Sequence, residues 1–196
     1  RGYKALLRQG IGRERMIRVV DVVLCIVGIF LTFPVLIIAV AISFFETSKP
    51  LLIQSRLGKD KKVFKVLKIR TIKIGVADKP THFLKASDIT RFGRFLRVSK
   101  LDELPQLFNV LIGDMSIVGP RPCLPNQTEV IFERERRKVF RMRPGITGLA
   151  QVNGVDMSTP RKLAAWDAQM IDSFDLTMYF RCIQKTILGR GFGDGI

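Results

Sequence analysis

Apolar and polar positions follow several distinct patterns along this chain, and each predicts a different kind of element. From Val22 to Phe45 the only ionisable group is the thiol of Cys25. An apolar run of about 24 residues is long enough for a helix to cross the hydrocarbon core of a bilayer. Pro34 stands near its middle, beside Thr32 and Phe33. Each half is then about a dozen residues, or roughly 18 Å of helix, about half the hydrocarbon thickness. A proline removes one backbone donor and crowds the preceding turn. Ahead of it Arg1, Lys4, Arg8, Arg13, Arg15 and Arg18 stand against Glu14 alone, so residues 1–48 are predicted to form a basic helix on an anionic surface followed by a helix-break-helix membrane element. The break falls at Pro34, and the Thr32 hydroxyl is placed to serve a carbonyl that the proline leaves without a partner.

Past Lys49 the period shortens. Leu51–Gly58 and Val63–Arg70 alternate, with Gly58-Lys59-Asp60-Lys61-Lys62 between them, and predict a β-hairpin. On a two-residue period Lys68 and Arg70 share a face, which aims two cations in one direction. A charged edge that discourages strand pairing accounts for the same two residues. Ile74–Asp88, with Gly75, Pro80 and His82, keeps no period and reads as a loop. Ile89–Val98 sets Arg91, Arg94 and Arg97 three apart among Phe92, Phe95 and Leu96, an amphipathic basic helix. Glu129–Arg141 reads as a mixed-charge, solvated helix without chemistry. From Pro160 to Ile187 an apolar series that includes Leu163, Met170, Phe174 and Ile183 predicts one or two helices, packed on the core or lying in a membrane interface. The fold class is α/β, mostly helical with a small β-hairpin. Residues 49–196 form one folded domain with amphipathic, interfacial helices, joined to the N-terminal membrane element.

Two adjacent carboxylates interrupt the basic and apolar pattern in Ser99-Lys100-Leu101-Asp102-Glu103-Leu104-Pro105-Gln106-Leu107. Proline is tolerated in a first helical turn, so a helix beginning near Asp102 is the economical reading, with Leu104, Leu107, Phe108 and Leu111 on its buried face. The pair is then either a helix cap with a first-turn acid or a reactive centre held on a rigid element. Cations converge on it in sequence. Arg97 lies just ahead, and the hairpin supplies Lys68 and Arg70. Arg121 is clamped between Pro120 and Pro122, whose stiff backbone suits an anion-binding guanidinium. Arg141–Gly154 adds Arg143, three glycines and the polar groups of Gln151 and Asn153, a setting for a nucleotide that matches neither the P-loop nor the dinucleotide fingerprint.

Composition narrows the partners. Lys and Arg number 33 against 17 Asp and Glu, a formal charge of +16, which calls for an anionic partner. With two Tyr, one Trp and no zinc-finger spacing, charge alone speaks for nucleic acid, and none is expected. Both flanks of the apolar run are rich in Lys and Arg, and the positive-inside rule puts both on the cytoplasmic face, as a re-entrant hairpin does; a kinked helix that spans the bilayer is the alternative, since such helices tolerate proline. Cys25, Cys123 and Cys182 form no spaced pair, which argues against a disulfide framework and for a reducing compartment. His82 is the single histidine, so a His-rich metal site is excluded. A competing reading from another class is a non-catalytic basic scaffold on the membrane surface whose acids merely cap a helix.

The proline-broken apolar run, Leu101-Asp102-Glu103-Leu104-Pro105-Gln106-Leu107, Gly119-Pro120-Arg121-Pro122 and Arg143-Pro144-Gly145-Ile146-Thr147-Gly148-Leu149-Ala150-Gln151-Val152-Asn153-Gly154, taken together, resemble the monotopic phosphoglycosyl transferases of bacteria. The resemblance covers nearly the whole chain, at the length of the family's minimal catalytic form. It implies transfer of a sugar-1-phosphate from a UDP-sugar to a polyprenol (undecaprenyl) phosphate at the cytoplasmic face of the bacterial inner membrane. The route it implies is a covalent aspartyl-phosphosugar intermediate with release of UMP, as the first membrane step of glycoconjugate assembly. Under it Asp102 is the nucleophile, Glu103 helps to hold Mg²⁺, and Lys68, Arg70, Arg97, Arg121, Arg143, Gln151 and Asn153 are candidate substrate contacts. Anionic membrane lipids are further expected partners, and the oligomeric state is left open, a homo-oligomer included. The residue types suit the chemistry, because a carboxylate that attacks a diphosphate needs cations to lower the like-charge repulsion.

Overall fold

The computed structural model describes the backbone of residues 2–75 and 86–189, and side chains over residues 12–75 and 87–189. His82, most of the predicted 74–88 loop and the side chains of Arg1, Lys4 and Arg8 lie outside the described residues. The chain is mostly helical with two small sheets.

Helix α1 runs from Gly2 to Thr47 with Pro34 inside it. The sequence predicts an interruption at Pro34, and none occurs. One missing donor costs a single intrahelical bond, and the remaining bonds on both sides carry the helix through. The Thr32 hydroxyl donates to the Gly28 carbonyl at 2.7 Å, not to Phe30, whose carbonyl lies four residues before the proline. Such a back-bond bends a helix without ending it. Within Gly12–Thr47 the most apolar 18 residues have a mean hydropathy of 3.0, so the helix is long and apolar enough to cross a membrane, and its middle is bare: Phe30 is 81% exposed.

Both halves of α1 pack on the rest of the fold. In the first half Arg18 donates to the Val110 and Leu111 carbonyls, and Cys25 packs with Val66, Val110 and Met115. Asp21 is buried, and its Oδ1 accepts from Ser116 Oγ at 3.1 Å, Ile117 N at 2.9 Å and Tyr179 Oη at 2.7 Å. In the second half Ala39 packs with Ile69 and Leu96, and Glu46 accepts from Phe92 N at 3.1 Å.

The predicted hairpin is present as β1 (Leu51–Leu57) and β2 (Val63–Ile69), antiparallel with Leu52 opposite Lys68 and Leu57 opposite Val63. Helix α2 (Arg91–Ser99) follows, capped by Thr90, whose side chain accepts from Gly93 N at 2.8 Å. Helix α3 (Gln106–Ile112) lies against β2: Asn109 donates to the Lys65 carbonyl at 2.7 Å and accepts from Leu67 N at 3.1 Å. A side-chain amide thus stands where a further strand would pair.

Strand β3 (Ser116–Val118) pairs in parallel with β4 (Gly145–Thr147), and helix α4 (Thr128–Arg136) lies in the crossover. Glycines make this pairing possible. A Cβ on Gly119 would sit 2.4 Å from the Arg143 carbonyl oxygen, and one on Gly145 would sit 2.0 Å from Gly119 N. The Gly-Pro-Arg-Pro and Arg-Pro-Gly motifs are therefore two halves of one close backbone crossing. Helices α5 (Leu149–Val152), α6 (Pro160–Asp172) and α7 (Leu176–Ile187) complete the fold, so the last apolar series forms two helices. Asp175 caps α7 by accepting from Met178 N at 2.7 Å, and Met170, Tyr179 and Cys182 sit in the main core with Val118 and Val152.

Candidate active site

The carboxylate pair lies in the connection from α2 to α3. Lys100 adopts a left-handed conformation (φ 59°) that ends α2 and reverses the chain. Leu101–Glu103 then form one 3₁₀ turn, and the α-helix begins only at Gln106, after Pro105. The sequence places the helix start at Asp102; the structure puts the pair one tight turn ahead of it. The tighter turn spends the Leu104, Leu107 and Phe108 N–H groups on the Leu101, Leu104 and Pro105 carbonyls. Leu101 packs with the Ala39, Ile69 and Leu96 cluster, so the turn is anchored to α1, β2 and α2 together.

Burial and charge treat the two acids differently. Asp102 is 8% exposed and Glu103 7%. Glu103 Oε1 accepts from Lys68 Nζ at 2.8 Å and from Arg121 Nη2 at 2.9 Å. Burial works to raise its pKa, but the two cations and their hydrogen bonds outweigh it and hold the carboxyl well below the usual range. Asp102 makes no hydrogen bond among the described residues. Its pKa is raised to about 6, first by burial and then by the Glu103 charge, against the opposing pull of Lys68, Arg97 and Arg121. Arg97 is steadied from the side by Thr71, whose Oγ1 accepts from Nε at 2.9 Å. One turn further, the side-chain nitrogen of Gln106 is buried with no partner among the described residues, a donor of the kind that a bound group satisfies.

Arg121 is fixed from several directions. Its carbonyl accepts from Arg134 Nη1 at 2.8 Å, and Arg56 Nη1 donates to the Pro122 carbonyl at 3.1 Å. With its amide turned to satisfy both neighbours, Gln151 accepts from Arg121 Nη1 at 3.1 Å and donates to the Ile146 carbonyl at 3.2 Å. Arg134 itself is 2% exposed and donates from Nε to Asp167 Oδ2 at 2.9 Å. The stretch from Glu129 to Arg141 was expected to be a solvated helix without chemistry. Instead α4 stops at Arg136 and buries an ion pair that holds the backbone of the site's arginine.

Of the sequence's candidates, Asp102, Glu103, Lys68, Arg97, Arg121 and Gln151 come together here. Arg70 does not join them. It lies one residue past the end of β2, where strand alternation no longer aims its side chain, and it donates to the Lys49 carbonyl at 2.8 Å. Arg143 donates to the Gly113 carbonyl at 3.1 Å and lines a separate cavity. Asn153 is exposed and donates to the Leu149 carbonyl at 2.7 Å, closing α5. Sequence reasoning missed Thr71, Asn109, Arg134, Asp167 and Asp21. Only Asp21 carried a signal, as a lone acid at the head of an apolar run.

The family described as bacterial sugar transferase matches residues 12–191. The chain belongs to that family. A UDP-glucose:undecaprenyl-phosphate glucose-1-phosphate transferase of Caulobacter vibrioides is 36% identical over 180 residues, covering 87% of this chain and 67% of that protein. A protein of the same name from Escherichia coli is 41% identical over 142 residues, 70% of this chain and 31% of that protein. A putative undecaprenyl-phosphate N-acetylgalactosaminyl 1-phosphate transferase of Bacillus subtilis is 40% identical over 115 residues, 57% of this chain and 64% of that protein. The chain thus spans about two thirds of the first of these bacterial sugar transferases and under a third of the second.

Proposed function

We propose that this bacterial sugar transferase moves a sugar-1-phosphate from a UDP-sugar to undecaprenyl phosphate, with Asp102 as nucleophile. The observation that carries the reading is the asymmetry of the pair. Glu103 is locked as an anion by Lys68 and Arg121, while Asp102, buried beside it, has no hydrogen bond among the described residues and a pKa raised to about 6. Asp102 is then mostly ionised at pH 7, and it is a stronger base than an ordinary aspartate.

An Asp102 oxygen attacks the phosphorus that bears the sugar. The bond from that phosphorus to the bridging oxygen breaks, and UMP leaves with the bonding pair. An oxygen of the lipid phosphate then attacks the same phosphorus and expels Asp102 as a carboxylate. Lys68, Arg97 and Arg121 surround the acid and offset the negative charge gathered at the phosphorus. Gln151 and Arg134 keep Arg121 in place.

Mg²⁺ fits the donor set. Among the described residues no group of three or more His, Cys, Asp or Glu could cage a metal. Mg²⁺ commonly binds through one or two carboxylates with waters and substrate phosphates. Glu103 would hold it, together with the donor's diphosphate, and the ion supplies charge neutralisation there.

Residues 1–48 seat the chain in the membrane as a re-entrant element, both ends on the cytoplasmic face, and residues 49–196 carry the chemistry. Two observations support this seat: contacts to the same fold from both halves of α1, and basic residues on both flanks of the apolar run. The bend is one that Pro34 and the Thr32–Gly28 bond allow without interrupting the helix.

Incubation with undecaprenyl phosphate, Mg²⁺ and a panel of UDP-sugars tests the transfer. UMP release from at least one donor is expected, and its loss in Asp102→Asn. A panel that releases no UMP, or an Asp102→Asn variant with full turnover, refutes the reading.

A further inference from the structure

A second cavity, of about 230 Å³, lies apart from the carboxylate pair, between the first half of α1, the Arg141–Arg143 stretch and the end of α6. Arg13, Arg18, Lys59, Arg141 and Arg143 line it, with Glu14 and Asp21. Lys59 faces Glu14 at 3.5 Å, and Arg141 pairs with Asp172 at 3.2 Å. Arg13, Arg18 and Arg143 make no ion pair among the described residues. They donate to neutral carbonyls: Arg13 to Phe174 at 3.0 Å, Arg18 to Val110 and Leu111, Arg143 to Gly113 at 3.1 Å. Three guanidinium charges are thereby oriented without a carboxylate bonded to them, and Asp21 faces Ser116, Ile117 and Tyr179 instead. Each guanidinium has five N–H donors and spends one or two, so donors remain.

The other wall is apolar, built from Ile17, Met142, Ile171 and Phe174. The cavity sits just ahead of the apolar run, and Met16, Val19 and Val23 are exposed on the same stretch of α1. Its volume falls below the roughly 300–1,000 Å³ of sites that enclose a drug-sized ligand, which suits a phosphate with one ester arm and excludes a whole UDP-sugar. We propose that this cavity binds the phosphodiester headgroup of an anionic membrane phospholipid, with the charged group on the unpaired arginines and the glycerol arm along the apolar wall. A basic pocket at the cytoplasmic end of a membrane helix is the setting such headgroups take. The proposal rests on α1 lying in the membrane, as above, and not on the chemistry of Asp102.

The test titrates the full chain in neutral detergent with dihexanoyl phosphatidylglycerol, dihexanoyl phosphatidylcholine and inorganic phosphate, read by calorimetry. The wild type should prefer phosphatidylglycerol to both others by about tenfold or more, and each arginine removed should cost about fivefold of that preference. Arg13→Gln with Arg18→Gln should abolish most of it. Because Arg18 also braces α3, Arg13→Gln alone decides if the double variant does not fold. Arg136→Gln with Arg161→Gln, exposed charges elsewhere, should leave the preference unchanged. The proposal is overturned by equal binding of the two lipids, by inorganic phosphate binding as tightly as phosphatidylglycerol, by full preference in folded Arg13→Gln, or by equal loss in the distant control. UMP release is read on the same samples. Normal release without lipid preference overturns the pocket alone, whereas lipid preference without release from any donor overturns the transferase reading alone.

Discussion

At the scale of single residues, Asp102 and Glu103 share burial and a peptide bond, yet among the described residues only Glu103 has cations within hydrogen-bonding distance. Protonated Asp102 cannot attack phosphorus; in the metal-free protein its carboxyl should titrate at about 6, and bound Mg²⁺ should move that titration, and with it the acid limb of the rate, to lower pH. In the metal-free protein Glu103→Gln should move the Asp102 titration to lower pH, in the direction opposite to a loss of basic partners. The substitution removes the like charge that raises Asp102 and releases Lys68 and Arg121 to act on it. A carboxyl NMR titration without Mg²⁺ measures the shift; an unmoved or raised titration contradicts the assignment. The identity of these residues was legible in the sequence as two acids among cations. The split between them was not, because it depends on Lys68 and Arg121, which lie 35 and 18 positions away.

Among the elements, the hairpin was legible almost to its ends, since strict alternation and a turn-rich connector leave little choice of register. Arg70 shows where that logic stops, one residue beyond the strand. The crossing of β3 and β4 was visible only as glycines, whose reason is the 2.0–2.4 Å approach to backbone that a Cβ would make. Gly119→Ala should cost at least about 2 kcal/mol of stability and loosen Arg121, because neither backbone can yield as a side chain would. Gly12→Ala, inside α1 with open space around its Cβ, should be neutral or stabilise by up to about 1 kcal/mol. Thermal or denaturant unfolding of the two variants compares them directly. The buried Arg134–Asp167 pair was illegible, because an arginine at helical spacing among other charges has the pattern of a solvated face, and its partner lies 33 residues on.

For the whole molecule, the placement of α1 decides where the chemistry happens. The sequence gives length, apolarity and basic flanks; only the structure shows that the folded domain grips the helix before and after its bare middle. Gly12→Cys and Lys49→Cys, labelled in intact cells with a membrane-impermeant thiol reagent, should both stay unlabelled until the cells are opened. Cys25, Cys123 and Cys182 are buried and leave the background low. Labelling of either engineered thiol from outside contradicts the re-entrant seat. The proposed seat would put the turn of Asp102 and Glu103 at headgroup level, where a polyprenol phosphate would present its own phosphate.

The central claim is that Asp102 carries the sugar phosphate between donor and acceptor. Intact-protein mass spectrometry after brief incubation with the active UDP-sugar and Mg²⁺, without lipid acceptor, tests it most directly. The account predicts a gain equal to one sugar phosphate, mapped to Asp102, discharged by adding undecaprenyl phosphate and absent from Asp102→Asn. An unmodified protein under conditions that support full turnover with acceptor, or an adduct on another residue, would contradict it.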